Sequence, residues 1–236
     1  MPMRQPTKAQ AKMASKRTEH SRAAEAAQSR SSRPPRPDKP QILLVCEGRN
    51  TEPSYFDQLQ AQFSRVRLKA IGEGYNRESL VERALTLRQE GNYAEVWCVF
   101  DKDPGINVPS DSFAKALQLA QHNGLRAAWS NEAFEYWLLL HFVDHNGADM
   151  QRSQYDAALK RWLKPLGATY AGTRNKLVTT QLFDLLQAHQ TVAIQRAQRI
   201  FEEKEAREFV PNVPASCTTV FLLVQRLLAI EAKGGL

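Results

Sequence analysis

The first forty residues lack the side chains from which a hydrophobic core is built. Residues 1–40 contain no Val, Ile, Leu, Phe, Tyr or Trp. A segment of this composition cannot bury enough apolar surface to offset the entropy lost on folding. We therefore predict a disordered basic tail over residues 1–40. Both a solubilising arm and a nonspecific phosphate-binding arm fit this composition, and the sequence leaves that choice open.

Long hydrophobic runs and paired cysteines are also missing. No stretch approaches the roughly 20 apolar residues of a membrane span, and the N-terminus has no apolar segment typical of a secretory signal. The three cysteines, Cys46, Cys98 and Cys217, form no Cys-x-x-Cys pair. These features predict a cytoplasmic protein without membrane association, in which cysteines act as small apolar side chains.

Excess positive charge is absent outside the tail. The net charge is +7 at pH 7, and residues 1–40 account for all of it, with ten Lys/Arg against three Asp/Glu. Residues 41–236 carry 22 charges of each sign. Total charge therefore does not indicate a basic patch on the folded part, and a nucleic-acid-binding surface has to be sought in local clusters.

Beyond the tail, short apolar runs alternate with stretches of helical periodicity. Four runs are typical of strands: 41–47, 66–72, 94–101 and 125–130. Nearly continuous apolar strands joined by helices predict an α/β fold with a parallel sheet flanked by helices. After about residue 150 the patterns are helical, with no clear strand among them. We therefore predict an α/β core over 41–147 and a helical subdomain over 148–236.

Acidic residues stand where two of these strands end. Glu47 follows the first strand, Asp101 ends the third, and Asp103 comes two residues later. Reactive groups collect at the carboxyl ends of strands in an open parallel sheet. If the segment stays extended, Asp101 and Asp103 point to one side and Lys102 to the other. Three clustered carboxylates call for a cation, and all-oxygen sites suit Mg²⁺ or Mn²⁺. The simpler alternative is that each acid is only a turn residue or a helix cap.

Three segments carry a family resemblance: "VCEGRNTEPSYF", "VFDKD" and "SNEAFEYWLLLHF". In this order and spacing they resemble the RloB family, whose core is similar to the Toprim fold of topoisomerases, primases and overcoming-lysogenization-defect nucleases. The resemblance covers about residues 41–230. Toprim metal chemistry uses one glutamate after the first strand and an Asp-x-Asp after the third. The resemblance therefore implies a Toprim-like core with metal ligands at Glu47, Asp101 and Asp103.

The resemblance also implies a function. We expect a metal-dependent endonuclease that hydrolyses phosphodiester bonds in DNA or RNA. Relatives are associated with phage-defence and restriction loci and are commonly accompanied by an ATPase, which implies an effector held in check by that partner. The alternative is a noncatalytic Toprim-like protein that binds nucleic acid or the ATPase. Homo-oligomerisation remains open.

The third segment adds two titratable residues. Glu135 begins an apolar helical stripe and should point into the protein, where it would need a metal ion or a buried arginine as partner. We include it among the candidate catalytic residues. His141 lies on another apolar stripe of the same helix, and we interpret it as a packed, hydrogen-bonded histidine. Glu52, which follows Thr51 in the first turn of an earlier helix, is interpreted as a helix-capping residue.

Phosphodiester cleavage benefits from cations beside the scissile phosphate. Lys102 and Arg49 flank the predicted acids, and Arg174 and Lys176 stand at the start of the helical region. Solvated surface charge is the more common role for each of these residues. Lys102 is nevertheless retained as a candidate catalytic residue because of its place between two predicted metal ligands.

Deletion of residues 1–40 should leave thermal stability unchanged, since no core side chain is lost. We expect the Tm of the truncated protein to lie within about 2 °C of the full-length value, as is usual for changes outside the core. Differential scanning fluorimetry of both proteins measures this. A much lower Tm after truncation would mean that the tail is docked on the body.

Overall fold

Five strands form one sheet in the parts of the chain that the computed structural model describes, which are residues 39–102, 111–170, 177–205 and 216–233. The strands are β1 (Gln41–Cys46), β2 (Arg67–Gly72), β3 (Glu95–Asp101), β4 (Arg126–Asn131) and β5 (Cys217–Thr218). Their order is β2-β1-β3-β4-β5, with β5 antiparallel to β4 and the others parallel. The predicted α/β class is confirmed, and each of the four predicted strands is found within one residue at either end. Residues 1–38, which make up nearly all of the predicted tail, lie outside the described residues.

Helices flank this sheet. In the described residues they are α1 (Thr51–Ala61), α2 (Arg77–Glu90), α3 (Ser112–His122), α4 (Glu135–Leu140), α5 (Arg152–Leu163), α6 (Thr180–Ala188), α7 (Gln190–Glu205) and α8 (Val220–Lys233), with a 3₁₀ turn at Lys164–Leu166. Helix α1 packs on β2 and α6, whereas α2 and α3 pack on each other and on β1, β3 and β4. Right-handed crossovers place α1 on one face of the sheet and α2 and α3 on the other. Because both faces are covered, β1 buries a continuous apolar run.

The direction of winding reverses between β1 and β3. The chain moves from β1 outward to β2, then returns across β1 to β3 and continues to β4. Loops leaving the carboxyl ends of β1 and β3 therefore diverge to opposite faces of the sheet. In open α/β sheets such a switch point forms the crevice in which ligands bind.

Strand β5 was not expected, because the sequence after residue 150 showed only helical patterns. Two residues are too few to produce a hydrophobic period, so pairing with β4 decides their conformation. The Oγ atoms of Ser130 and Thr218 lie 2.8 Å apart, and the N–H of Thr219 donates to the carbonyl of Trp129 at 2.8 Å. Within the described residues, the helical patterns after residue 150 form helices α5 to α8, and the boundary between core and subdomain at residue 148 remains a prediction.

Helix α8 links the two edges of the sheet. It starts directly after β5, contacts β4, and ends beside the connection that leads into β2 at the opposite edge. There the carboxylate of Glu231 accepts N–H bonds from Ser64 (2.8 Å), Arg65 (2.7 Å) and Val66 (3.2 Å). It also accepts the Ser64 hydroxyl at 2.8 Å. The last helix therefore ties the C-terminal region to the first half of the chain.

Among the described helices, none combines the length and the hydrophobicity that a membrane crossing requires.

Replacing Glu231 with Gln should lower the free energy of unfolding by about 1 kcal/mol. Both carboxylate oxygens accept backbone N–H groups, and Gln would replace one of them with an N–H₂ group that cannot accept a hydrogen bond. Partial burial alone would raise the pKa of Glu231, but the hydrogen bonds from residues 64–66 hold it below its ordinary value. The stabilisation is therefore present above the unfolded-state pKa of about 4.5 and is lost as the pH falls through the lower folded-state pKa.

Urea unfolding at pH 7 and at pH 3 measures this effect. The matched control is Glu203→Gln, which removes a charge from an exposed pair with Arg199 on α7. Equal stability of wild type and Glu231→Gln at pH 7 would show that this contact does not hold the helix in place.

Candidate functional site

Glu47 and Asp101 meet at the switch point of the sheet. The parallel register of β1 and β3 brings their carboxyl ends side by side, with Cys46 opposite Val99. The N–H of Glu47 extends this ladder by donating to the carbonyl of Val99 at 2.8 Å. Its side chain then turns back, and Oε2 accepts the N–H of Asp101 at 2.9 Å. The carboxylate of one predicted metal ligand, Glu47, therefore contacts the backbone of a second, Asp101.

Two arginines contact Asp101. The guanidinium of Arg152, at the start of α5, forms an ion pair with the Asp101 carboxylate. The Nε of Arg77, at the start of α2, donates to the carbonyl oxygen of Asp101 at 2.6 Å. The Asp101 side chain is 14% exposed and that of Arg152 is 45% exposed. The ion pair thus lies at the mouth of the crevice, and the carboxylate forms its inner half.

Glu52 belongs to the same crevice, which its interpretation as a helix cap missed. Its side chain is buried, with the residue 4% exposed, and Oε1 accepts the N–H of Gly48 at 3.0 Å. A Cβ atom at position 48 would lie 2.1 Å from Oε2 of Glu52, so this contact requires a glycine. Burial raises the pKa of Glu52 to about 7, and the negative charges of Glu135 and Glu47 add to the increase.

Glu135 is buried as predicted, and the side chain of Tyr170 is one of its partners. Only 5% of the residue is exposed, at the start of α4. The hydroxyl of Tyr170 donates to Oε1 of Glu135 at 2.8 Å and lies 3.1 Å from Oγ1 of Thr51. A phenolic hydroxyl is therefore one partner of Glu135, and the expected arginine or metal ion stays a prediction.

Together these four side chains form what we call the acidic cluster: Glu47, Glu52, Asp101 and Glu135. Burial raises the pKa of Asp101 well above its ordinary value, followed by the charge of Glu52, while Arg152 opposes the increase. Charges on Glu135 and Glu47 raise it further. Carboxylates that disfavour each other's ionisation in this way are stabilised by protons or by a cation.

The complete predicted metal site remains a prediction. Across residues 39–102, 111–170, 177–205 and 216–233, no three Asp, Glu, His or Cys side chains are placed so that they could hold a metal ion. Asp103, the third predicted ligand, lies outside the described residues. Its position decides whether Glu47 and Asp101 are completed into a coordination site.

Two of the predicted basic residues, Lys102 and Arg49, lie within the described part of the chain. Lys102 has its ammonium 5.7 Å from the ring centre of Phe113 in α3, whereas the side chain of Asp101 meets α5. The two neighbours therefore contact different helices, and burial lowers the pKa of Lys102. Arg49 is exposed, and its Nε donates to the carbonyl of Glu73 at 3.3 Å. Arg174 and Lys176 lie outside the described residues.

His141 is packed and hydrogen-bonded, as interpreted from the sequence. Its Nδ1 lies 2.9 Å from the carbonyl oxygen of Trp137, one helical turn earlier. Burial lowers its pKa to about 3, so the ring is neutral at physiological pH. It does not supply a titrating group in the range where His usually acts as a general acid or base.

Residues 42–227 match the family model described as RloB-like protein. The chain therefore belongs to the RloB-like family, as its three sequence segments predicted. No curated protein and no solved structure gives a significant match to the chain.

Glu52→Gln should stabilise the metal-free protein at alkaline pH. Between its unfolded-state pKa of about 4.5 and its folded-state pKa of about 7, Glu52 holds a proton only in the folded protein, so stability falls as the pH rises through this interval. Gln keeps an oxygen for the N–H of Gly48 and carries no charge. We expect the variant to gain about 2–4 kcal/mol in free energy of unfolding at pH 8 and little at pH 4.5.

Urea titrations in the presence of a chelator measure this difference, with Glu82→Gln, an exposed position of α2, as the matched control. A gain that is the same at both pH values would contradict the assigned cause, since neutral and charged Glu52 would then be equally tolerated.

Proposed function

We propose that the protein is a metal-dependent endonuclease that hydrolyses phosphodiester bonds of DNA or RNA with Mg²⁺ or Mn²⁺. The proposal is carried by one observation, the direct contact between Glu47 and Asp101 at the switch point of the sheet. A strand end is where an α/β sheet presents groups to a ligand, and here two strands present carboxylates to the same crevice.

The residues present fit such an ion by their chemistry. Mg²⁺ and Mn²⁺ prefer hard oxygen ligands, and Glu47, Asp101 and Asp103 are the residues that would hold the ion. The mutual repulsion within the acidic cluster favours a divalent cation at this place. When bound, such an ion supplies an activated water and stabilises the charge on the leaving oxygen.

Other groups of the chain hold the acids of this crevice in position. The N–H of Asp101 fixes the Glu47 carboxylate at the carboxyl end of β1. Arg77 holds the carbonyl of Asp101, and so fixes the end of β3. Tyr170 positions Glu135 at the inner wall of the crevice. The strand order β2-β1-β3-β4 with acids after β1 and β3 supports the Toprim-like character of this core.

Family membership supports the wider setting of the proposal. As a member of the RloB-like family, the protein is proposed to be the effector of a phage-defence or restriction-associated system, with an ATPase as its controlling partner. Copurification of a tagged full-length chain with the product of a neighbouring ATPase gene tests this part. Loss of that association would leave the nuclease proposal standing.

A second candidate function is a noncatalytic Toprim-like protein that binds nucleic acid or the ATPase. It is favoured by the state of Asp101, whose carboxylate is paired with Arg152 within the described residues, and by the lack there of a three-residue metal cluster. The two candidates differ in one result: a nuclease cleaves nucleic acid when Mn²⁺ is added, whereas the noncatalytic protein leaves it uncut.

Asp101→Asn should lower the rate of metal-dependent cleavage by about 100-fold or more. Mutation of a residue that only orients a metal ligand already costs about 10–100-fold, and the loss of a direct ligand should cost at least as much. Plasmid DNA and total RNA incubated with Mn²⁺, with and without a chelator, provide the measurement. Asn keeps the shape of the side chain and relieves repulsion within the acidic cluster, so the variant should remain folded. Asp111→Asn, which removes the same charge from an exposed pair with Lys115, is the control.

Cleavage by folded Asp101→Asn at the wild-type rate would defeat the assignment of Asp101. Nucleic-acid binding by the wild type without cleavage in any metal would favour the noncatalytic candidate.

A further inference from the structure

We propose that Arg152 is a phosphate-binding residue of this site, paired with Asp101 in the metal-free protein and transferred to a phosphate group of the nucleic acid once a divalent cation neutralises that carboxylate. The inference deepens the proposed function and rests on it. The sequence around Arg152 does not mark it for such a role, whereas its contacts do.

The backbone at Arg152 is held against the end of β4. Its N–H donates to Oε2 of Glu132 at 2.8 Å. One turn later, the hydroxyl of Tyr155 donates to the carbonyl of Asn131 at 2.8 Å and accepts the N–H of Glu132 at 3.1 Å. These bonds hold the first turn of α5 through its backbone and through Tyr155, and none of them involves the guanidinium of Arg152.

The exposure of the ion pair gives the guanidinium access to a second partner. The side chain of Arg152 is 45% exposed and that of Asp101 is 14% exposed, so the guanidinium is the more accessible partner of the ion pair. A guanidinium carries five N–H donors in a planar fork, a geometry that fits phosphate oxygens as well as a carboxylate. A phosphate at the mouth of the crevice can therefore reach the guanidinium of Arg152.

The charges around Asp101 explain why Arg152 would leave Asp101 for a phosphate when a cation binds. The acidic cluster repels a phosphate, so a substrate needs positive charge at the mouth of the crevice. Arg152 offsets part of the negative potential at Asp101 when no metal is present. A divalent cation on the same carboxylate would repel the guanidinium and replace it as counter-charge. The arginine then has a stronger partner in the phosphate than in Asp101.

A purely structural ion pair between β3 and α5 is the competing explanation. In that case removal of the guanidinium lowers stability and changes neither the affinity for metal nor the contact with nucleic acid. The two explanations can therefore be separated by binding measurements that do not depend on cleavage or on unfolding.

The first measurement is Mn²⁺ affinity of the full-length chain, from the electron paramagnetic resonance signal of free Mn²⁺. Arg152→Gln should bind Mn²⁺ about fivefold more tightly than wild type, because the competing cation is gone. Arg152→Lys keeps a positive charge and should stay near the wild-type affinity. Arg161→Gln, at an exposed position of the same helix, is the matched control and should not change it.

The second measurement is the salt dependence of binding to a short single-stranded DNA oligonucleotide and to its RNA counterpart. Ca²⁺ replaces Mn²⁺ here because its looser coordination is expected to support cleavage poorly. Loss of one phosphate contact should reduce the slope of log K against log salt concentration by about one in Arg152→Gln and leave it unchanged in Arg161→Gln.

Tighter Mn²⁺ binding together with the reduced slope would support the proposal. Wild-type Mn²⁺ affinity in Arg152→Gln, or an unchanged slope, would overturn it and leave the metal-dependent nuclease proposal intact. A wild-type protein that binds no Mn²⁺ would overturn both.

Discussion

The hydrogen bond from the Asp101 N–H to the Glu47 carboxylate is the contact on which the site depends. It joins the ends of β1 and β3 where the direction of winding reverses, and it fixes the Glu47 carboxylate beside the backbone of Asp101. The surrounding backbone has to make room for it. Gly72, at the end of β2, lies so close to the loop after Glu47 that a Cβ atom there would be 2.2 Å from the carbonyl oxygen of Gly48. Both glycines are therefore explained by close packing around the acids.

The strands and the first two acids could be predicted because local rules determine them. A buried parallel strand leaves a continuous apolar run, and parallel strands bring their carboxyl ends to one edge, so Glu47 and Asp101 had to be neighbours. The remaining contacts depend on residues far apart in sequence. Arg152 and Asp101 are separated by 51 positions, and Thr51 and Tyr170 by 119. Neither hydrophobic periodicity nor a sequence motif predicts contacts between residues so far apart, so these pairs could not be inferred from the sequence.

Glu52 shows how a correct local rule can hide a functional neighbour. An acidic residue in the first turn of a helix is usually explained by the helix dipole, and Glu52 does occupy that position in α1. The structure adds what the rule cannot see, namely that Gly48 lets the carboxylate fold back into the crevice. The only sequence signal was the glycine four positions earlier. Strand β5 was missed for a related reason, since two residues are too few to show a period.

Burial of the acidic cluster lowers the stability of the metal-free protein. Each carboxylate that must ionise beside the others in a water-poor crevice lowers the stability of the metal-free fold, as the raised pKa values of Glu52 and Asp101 indicate. An apolar or amide side chain at position 52 would avoid that cost. A ligand that binds only the folded state restores the lost stability by mass action. This cost supports the proposed cation site, in which Arg152 is the proposed counter-charge of Asp101 in the metal-free protein.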